Sequence, residues 1–187
     1  DHVKSAADAE IPLVGVTLLY RKGYGRQHLD ENGIQTESYR DLDPEQHLQD
    51  TGMDISLPLD GGELWAKVWR ADIAGVTGHV VPVYFLDTFH PKNSEKHLDL
   101  GLTLYGGDDW VRIRQEYLLG IGGLRLLEQL GMEVDGLHLN EGHCTFALLE
   151  MLGKGWTREQ LAKRVLFTTH TPVPAGHDRF EWDAVEE

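Results

Sequence analysis

The chain has 187 residues, with 17 Lys and Arg against 31 Asp and Glu, for a formal net charge of −14. That length supports one domain with a real core. The acidity excludes sequence-independent nucleic-acid binding, which needs a basic footprint, and disfavours an anionic membrane surface.

In chain order, Asp1–Ala9 reads as a short helix and Ile11–Leu19 as a buried strand. Tyr20–Ile34 predicts a cleft-side turn entering a short helix near Gln27–Asp30, with Asn32-Gly33 as a turn. Glu37–Asp60 is acidic and weakly periodic, which suggests surface or an extended insertion. Asp60-Gly61-Gly62 predicts a β-hairpin between Ile55–Leu59 and Leu64–Arg70. Gly78–Leu86 is the next strand, and Pro82 argues for an edge or a bulge there. Pro91–Gly107 reads as a polar loop.

Asp108 or Asp109 caps a long helix, about Trp110–Leu130, with Tyr117, Ile121, Leu124 and Leu127 on its core face. Gly120, Gly122 and Gly123 predict close packing against a neighbour. Gly131 ends the helix, Val134–Leu139 is a short strand, and Asn140 starts a helix to about Leu152. Thr157 caps Arg158–Arg164, which feeds a buried strand, Val165–Thr168. Pro172 and Pro174 then force an extended exit. The order α-β-α-α-β is that of a Rossmann-like sheet within an α/β fold, beside a β-hairpin-rich insertion.

Chemistry concentrates at two strand ends, His138-Leu139-Asn140-Glu141-Gly142-His143 and Thr168-Thr169-His170-Thr171. Ligands of open α/β sheets bind at such carboxyl ends. If the two strands are parallel neighbours, Asn140, Glu141, His143 and His170 converge on one crevice. Amide, carboxylate and imidazole groups suit a polyol, whose hydroxyls each want a donor and an acceptor. An anionic substrate would need a local basic cluster, and the sequence shows none. The bland alternative is a capping sequence and a surface histidine. No histidine spacing matches a helical zinc pair, so no metal is expected. A lone Cys144 gives no disulfide framework and reads as core filler more readily than as a nucleophile. It also fits a reducing, cytoplasmic setting. Glu141 has only Asp87 or Asp178 as a candidate carboxylate partner for glycosidase chemistry. No apolar run approaches the ~20 residues of a membrane-spanning helix. The ends are abrupt, which suggests a piece of a longer protein.

The motifs HLNEGH and FTTHTPVPAGHDRF resemble those of the α-glucan phosphorylases, the glycogen and maltodextrin phosphorylase family, in its short bacterial and archaeal branch. Asp1–Tyr24 and Leu104–Gly123 extend the resemblance to nearly the whole chain. It implies a GT-B glycosyltransferase, with residues 1–187 as part of its N-terminal, glucan-binding domain. The family's upstream glycine-rich loop and C-terminal pyridoxal phosphate domain would lie outside these residues. None of the seven lysines sits in a pyridoxal-lysine motif. The implied reaction is retaining transfer of a glucosyl unit from the non-reducing end of an α-1,4-glucan or maltodextrin to phosphate. The product is α-glucose 1-phosphate, and pyridoxal phosphate serves as cofactor of the parent. His170 would contact the transferred glucosyl unit as the catalytic residue. Asn140, Glu141 and His143 would lie beside the sugar, with Thr169 and Thr171 flanking His170. The resemblance allows a homodimer of the parent and implies no activity for the piece alone. Two alternatives stay open: a nucleotide-sugar glucan synthase of the same architecture, and a non-catalytic glucan-binding fragment.

Overall fold

The computed structural model describes residues 2–104, 106–173 and 177–186. Pro174, expected in the extended exit, lies outside them. The fold is mixed α/β, in two compact units. One comprises residues 1–54 and 65–107, the other residues 55–64 and 108–187.

The first unit opens with α1 (His2–Asp8) and β1 (Gly15–Leu18). The expected strand at Ile11 starts four residues late, and Ile11 is half exposed. Gln27–Asp30 is not helical. Arg26–Leu29 forms β2, paired antiparallel with β3 (Gln35–Ser38) across the Asn32-Gly33 turn. The Asp30 carboxylate accepts the Asn32 and Ile34 N–H groups at 2.8 Å each, which closes that turn. Glu37–Asp60 is not simply surface, because it contains the whole of β4 (Gln49–Leu59), whose Ile55 and Leu57 are buried. Strand β5 (Gly62–Ala74) follows over the two-residue Asp60-Gly61 turn, where φ is positive at both residues. That is the twist-compatible hairpin turn. Strand β6 (Val80–Asp87) completes a sheet of order β1-β6-β5-β4, parallel only between β1 and β6.

Pro82 is therefore in a central strand, contrary to expectation. The β1 register begins at Val83, while Pro82 faces Asp72 of β5. At Pro82 itself the strand has a partner on one side only, and the missing N–H is tolerated there. At the end of β6, fully buried Asp87 accepts from Arg21 Nη2 (2.6 Å) and Trp69 Nε1 (2.9 Å). Pro91–Gly107 is more than loop: it holds α2 (Glu95–Leu98), capped by Ser94, and a 3-10 turn at Asp99–Gly101.

The second unit is built on α3 (Asp109–Tyr117), a π turn (Leu118–Gly122) and α4 (Gly123–Gln129), one continuous rod. Asp108 caps it by accepting from Val111 N (3.1 Å), and Gly131 ends it with φ +68°. The hairpin tip packs on this rod. Arg114 reaches Asp60 (2.6 Å), Tyr117 Oη donates to the Pro58 carbonyl (2.9 Å), and Gly122 faces Ile55 and Leu57. Beyond the rod come β7 (Leu137–Asn140), a 3-10 turn (Gly142–Cys144), α5 (Phe146–Gly153), α6 (Arg158–Arg164) and β8 (Val165–Thr168). Thr157 caps α6 with a full capping box. The last element is α7 (Trp182–Glu186). Leu124, Ala147, Met151 and Leu161 form the core here, against Leu137, Trp156 and Val165. Of the expected helix stripe, Leu124 and Leu127 are buried and Tyr117 and Ile121 partly so. Strand β8 is not buried as expected: Leu166 and Phe167 are mostly exposed, because β7 is its one partner among the described residues.

The π turn brings the rod against α5. A Cβ on Gly120 would lie 2.6 Å from Ala147 N and 2.9 Å from Phe146 Cβ. Gly120→Ala is predicted to cost about 1–3 kcal/mol through overpacking. Gly153→Ala, with nothing within 4 Å, should move stability by at most about 1 kcal/mol. Urea unfolding midpoints measure both, and equal shifts would show that the close approach at Gly120 is not what holds the rod.

Candidate functional site

Strands β7 and β8 are parallel, in the register Leu137↔Val165 through Asn140↔Thr168. This register brings the ends of the two motifs together. Asn140 Oδ1 lies 2.9 Å from His170 Nε2. An amide oxygen can only accept, so the His170 Nε2–H is the donor of this bond.

Glu141 holds the same edge from below. Its own N–H donates to Thr168 O (2.8 Å) and continues the ladder by one bond. Its carboxylate Oε1 accepts from His170 N (2.5 Å), Thr171 N (3.0 Å) and the Thr171 hydroxyl (3.2 Å). The residue is only 6% exposed, and Oε2 is buried without a hydrogen-bond partner. To reach this position Glu141 adopts φ 65°, ψ −174°, a region that side chains other than glycine's occupy at a cost of about 1–3 kcal/mol. The His170 N–H holds its carboxyl below the ordinary value of 4.5. Burial opposes this, and the side chains of Thr169 and Thr171 and the Thr171 N–H add to it.

His143 follows on the 3-10 turn but faces a different set of groups. Its Nδ1 lies 3.3 Å from Arg112 Nη2, 3.3 Å from Asp178 Oδ2 and 3.7 Å from Glu116 Oε1. Arg112 Nη2 also donates to Asp178 Oδ2 at 2.7 Å. Glu116 is buried, and that burial raises its carboxyl pKa. The bond to Glu116 raises His143 in turn, against burial and the Arg112 charge. Asp178 is lowered: burial works against this, but Glu116 and Arg112 prevail.

Glu116, His143 and Asp178 present ligand atoms within 4.8 Å of one another. The Arg112 guanidinium brings a positive charge to the same Asp178 oxygen. Burial pushes the Cys144 thiol up, away from the thiolate a nucleophile requires.

The structure thus joins Asn140, Glu141, His170 and Thr171 in one hydrogen-bonded group, and Thr169 adds to it through Glu141. His143 belongs to the adjoining ionic cluster. Arg112 and Glu116 were not anticipated. Their i, i+4 spacing on α3 was the available signal, but it does not say what the pair faces. The sequence offers Asp178 only as a carboxylate partner for Glu141, and in the structure it pairs with Arg112 and His143 instead.

Comparison with known proteins gives 36% identity over 204 residues with the maltodextrin phosphorylase of Thermococcus litoralis, covering all of this chain and 24% of that protein. The glycogen phosphorylase of Mycobacterium tuberculosis is 38% identical over 209 residues, again covering all of this chain and 24% of that one. That of Aquifex aeolicus is 31% identical over 208 residues, covering all of this chain and 28% of that one. The chain spans about a quarter of the length of these curated relatives. No family model matches it. Among solved structures, the catalytic domain of starch synthase IV from Arabidopsis thaliana bound to ADP and acarbose is 20% identical. It covers 65% of this chain and 22% of that one, with a TM-score of 0.44.

A carboxyl depressed in the folded state stabilises that state when ionised. The Glu141 contribution is therefore complete above its unfolded value near 4.5 and is lost as pH falls below that through the folded value. The His170 and Thr171 amide resonances should move on acidification with a shared midpoint below 4.5. A midpoint at or above 4.5 would show that the carboxylate does not hold these amides.

Proposed function

The glycogen and maltodextrin phosphorylases are homologous to this chain along its whole length, and on that premise we propose that it is part of an α-1,4-glucan phosphorylase. The reading includes the GT-B architecture, with these residues on the glucan-binding side of the N-terminal domain. One observation carries the assignment of a site within the chain: a glutamate in a backbone conformation normally left to glycine fixes the main chain of His170 and Thr171. Strain held in this way at a strand end is characteristic of functional sites.

In the proposed reaction, the bond between C1 of the terminal glucosyl unit and O4 of the next breaks. C1 bonds to a phosphate oxygen with retention, and O4 takes up the proton that the hydrogen phosphate gives up. His170 contacts the glucosyl unit and stabilises charge developing near its ring. Asn140 orients the imidazole, and Glu141 positions the His170 backbone through the amides it accepts. His143, Thr169 and Thr171 complete the polar wall beside the sugar. The preformed donors and acceptors act without reorganising at the moment of bond cleavage.

Five of the seven lysines of this chain are engaged with other side chains, which does not suit the Schiff-base amine that pyridoxal phosphate needs. Lys4, Lys154 and Lys163 are paired with carboxylates, and Lys67 and Lys92 lie over indole rings. If the parent carries the cofactor, its site lies in other segments.

The deciding experiment follows glucose 1-phosphate release from maltoheptaose by the full-length protein that carries this chain, with and without phosphate and pyridoxal phosphate. Release that requires both is the expected result, and none from a folded, cofactor-loaded protein would refute the reading. In the same protein, His170→Ala should lower turnover by about 100-fold or more with little change in melting temperature, because His170 is exposed. Parallel losses of turnover and stability would make it a structural residue.

A further inference from the structure

The first unit contains a cavity of about 370 Å³ with Tyr20, Tyr24, Arg26, Arg40, Asp41 and His47 in its walls. None of these residues has a role in the proposed reaction. The walls are two chain segments, 20–26 and 40–47, joined through the backbone. Leu42 N donates to Arg21 O at 2.7 Å, and Lys22 and Asp41 form an antiparallel bridge. The first segment is also pinned from behind. Arg21 N donates to Gly101 O and Lys22 N to Leu102 O, both at 2.8 Å. On the second, Asp43 caps the 3-10 turn at Pro44–Gln46 that presents His47. Main-chain bonds therefore hold the two walls of the cavity.

Its charge runs against that of the chain. Acids outnumber bases by 31 to 17 overall, yet the cavity wall carries two arginines against one aspartate. The Arg26 and Arg40 side chains make no hydrogen bond or ion pair with any described residue. Most other arginines here are committed: Arg21 to Asp87, Arg70 to Asp72, Arg112 to Asp178, Arg114 to Asp60 and Arg125 to Glu150. Two uncommitted guanidiniums at one concavity, in a field that is otherwise negative, are donors for an anion with several oxygens. The sequence alone shows no such basic cluster, because Arg26 and Arg40 are fourteen residues apart and come together through the β2–β3 hairpin.

The remaining walls narrow the class. Asp41 and His47 can pair with hydroxyl groups. The tyrosine rings give a flat apolar face, and Tyr24 is 80% exposed. The volume lies within the ~300–1,000 Å³ of small-molecule sites. We propose that this cavity binds a small phosphate monoester bearing hydroxyl groups, such as a phosphorylated monosaccharide. The guanidiniums take the phosphate, Asp41 and His47 take the hydroxyls, and a tyrosine ring covers the carbon skeleton.

The test is calorimetric titration of the full-length protein with ribose 5-phosphate, which is neither substrate nor product of the proposed reaction. Ribose and inorganic phosphate are titrated separately. Saturable binding of ribose 5-phosphate is expected, weaker for phosphate alone and absent for ribose, and declining as salt is raised. The double variant R26A/R40A should weaken it about tenfold or more, with the melting temperature preserved because both side chains are exposed. R26K/R40K, which keeps the charge and loses the fork, should fall between. No binding by the wild type at millimolar ligand overturns the proposal. So does binding that R26A/R40A leaves unchanged, which would locate the ester elsewhere. Glucose 1-phosphate release by R26A/R40A separates this outcome from failure of the phosphorylase reading, since the variant touches no residue assigned to that reaction.

Discussion

The carboxylate of Glu141 accepts the main-chain N–H groups of His170 and Thr171, and the arrangement of the second unit's polar edge depends on it. Without that acceptor, two amides just past the end of β8 would lack the partners recorded for them, and unpaired polar groups are costly where water is scarce. The geometry has its own cost, since Glu141 sits at φ 65° in extended ψ. Three hydrogen bonds to one ionised oxygen offset that cost, because bonds to a charged acceptor are about twice as strong as neutral ones. The result is a rigid pedestal for an exposed imidazole. A helix or a flexible loop at this position would leave the ring free to turn.

The rod of α3, π turn and α4 supplies the rest of the setting. Its middle is a π turn, and there Gly120 meets the backbone at Ala147. A one-residue expansion of the helix lets the glycine face turn inward, as π turns do near functional sites. The same rod presents Arg112 and Glu116 to His143. Packing and electrostatics therefore share one element.

In the first unit the organising polar group is Asp87, fully buried at the end of β6 and bonded to Arg21 and Trp69. It anchors the start of the segment that forms one wall of the Arg26–Arg40 cavity. Each unit thus uses a carboxylate at a strand end to fix the chain beyond it. In one case the fixed element is a histidine, in the other a basic concavity. The acidic balance of the whole chain makes the second case conspicuous, because the surrounding field favours pairing of every available cation.

Local chemistry was legible wherever a turn or cap residue acts through its own neighbours. The Asp60-Gly61 hairpin, the Asp108 and Thr157 caps, the Gly131 stop and the α-β-α-α-β order after Trp110 all follow from positions a few residues apart. The two strand-end motifs also pointed to one edge, because parallel strands joined by helices must end on the same side. Misreadings arose where a long-range partner overrides local preference. Arg26–Leu29 looks helical until Gln35–Ser38 pairs with it. Pro82 looks like an edge residue until the β1 register is seen to start one residue later. The sequence by itself determined which residue types stand at the strand ends and so which chemistry is available there. Only the tertiary structure decided that Glu141 grips His170, that His143 faces Glu116 and Asp178, and that Arg26 and Arg40 share a cavity. Those contacts span from 14 to 35 residues of chain, and distances of that kind are set by register and packing, which no local pattern encodes.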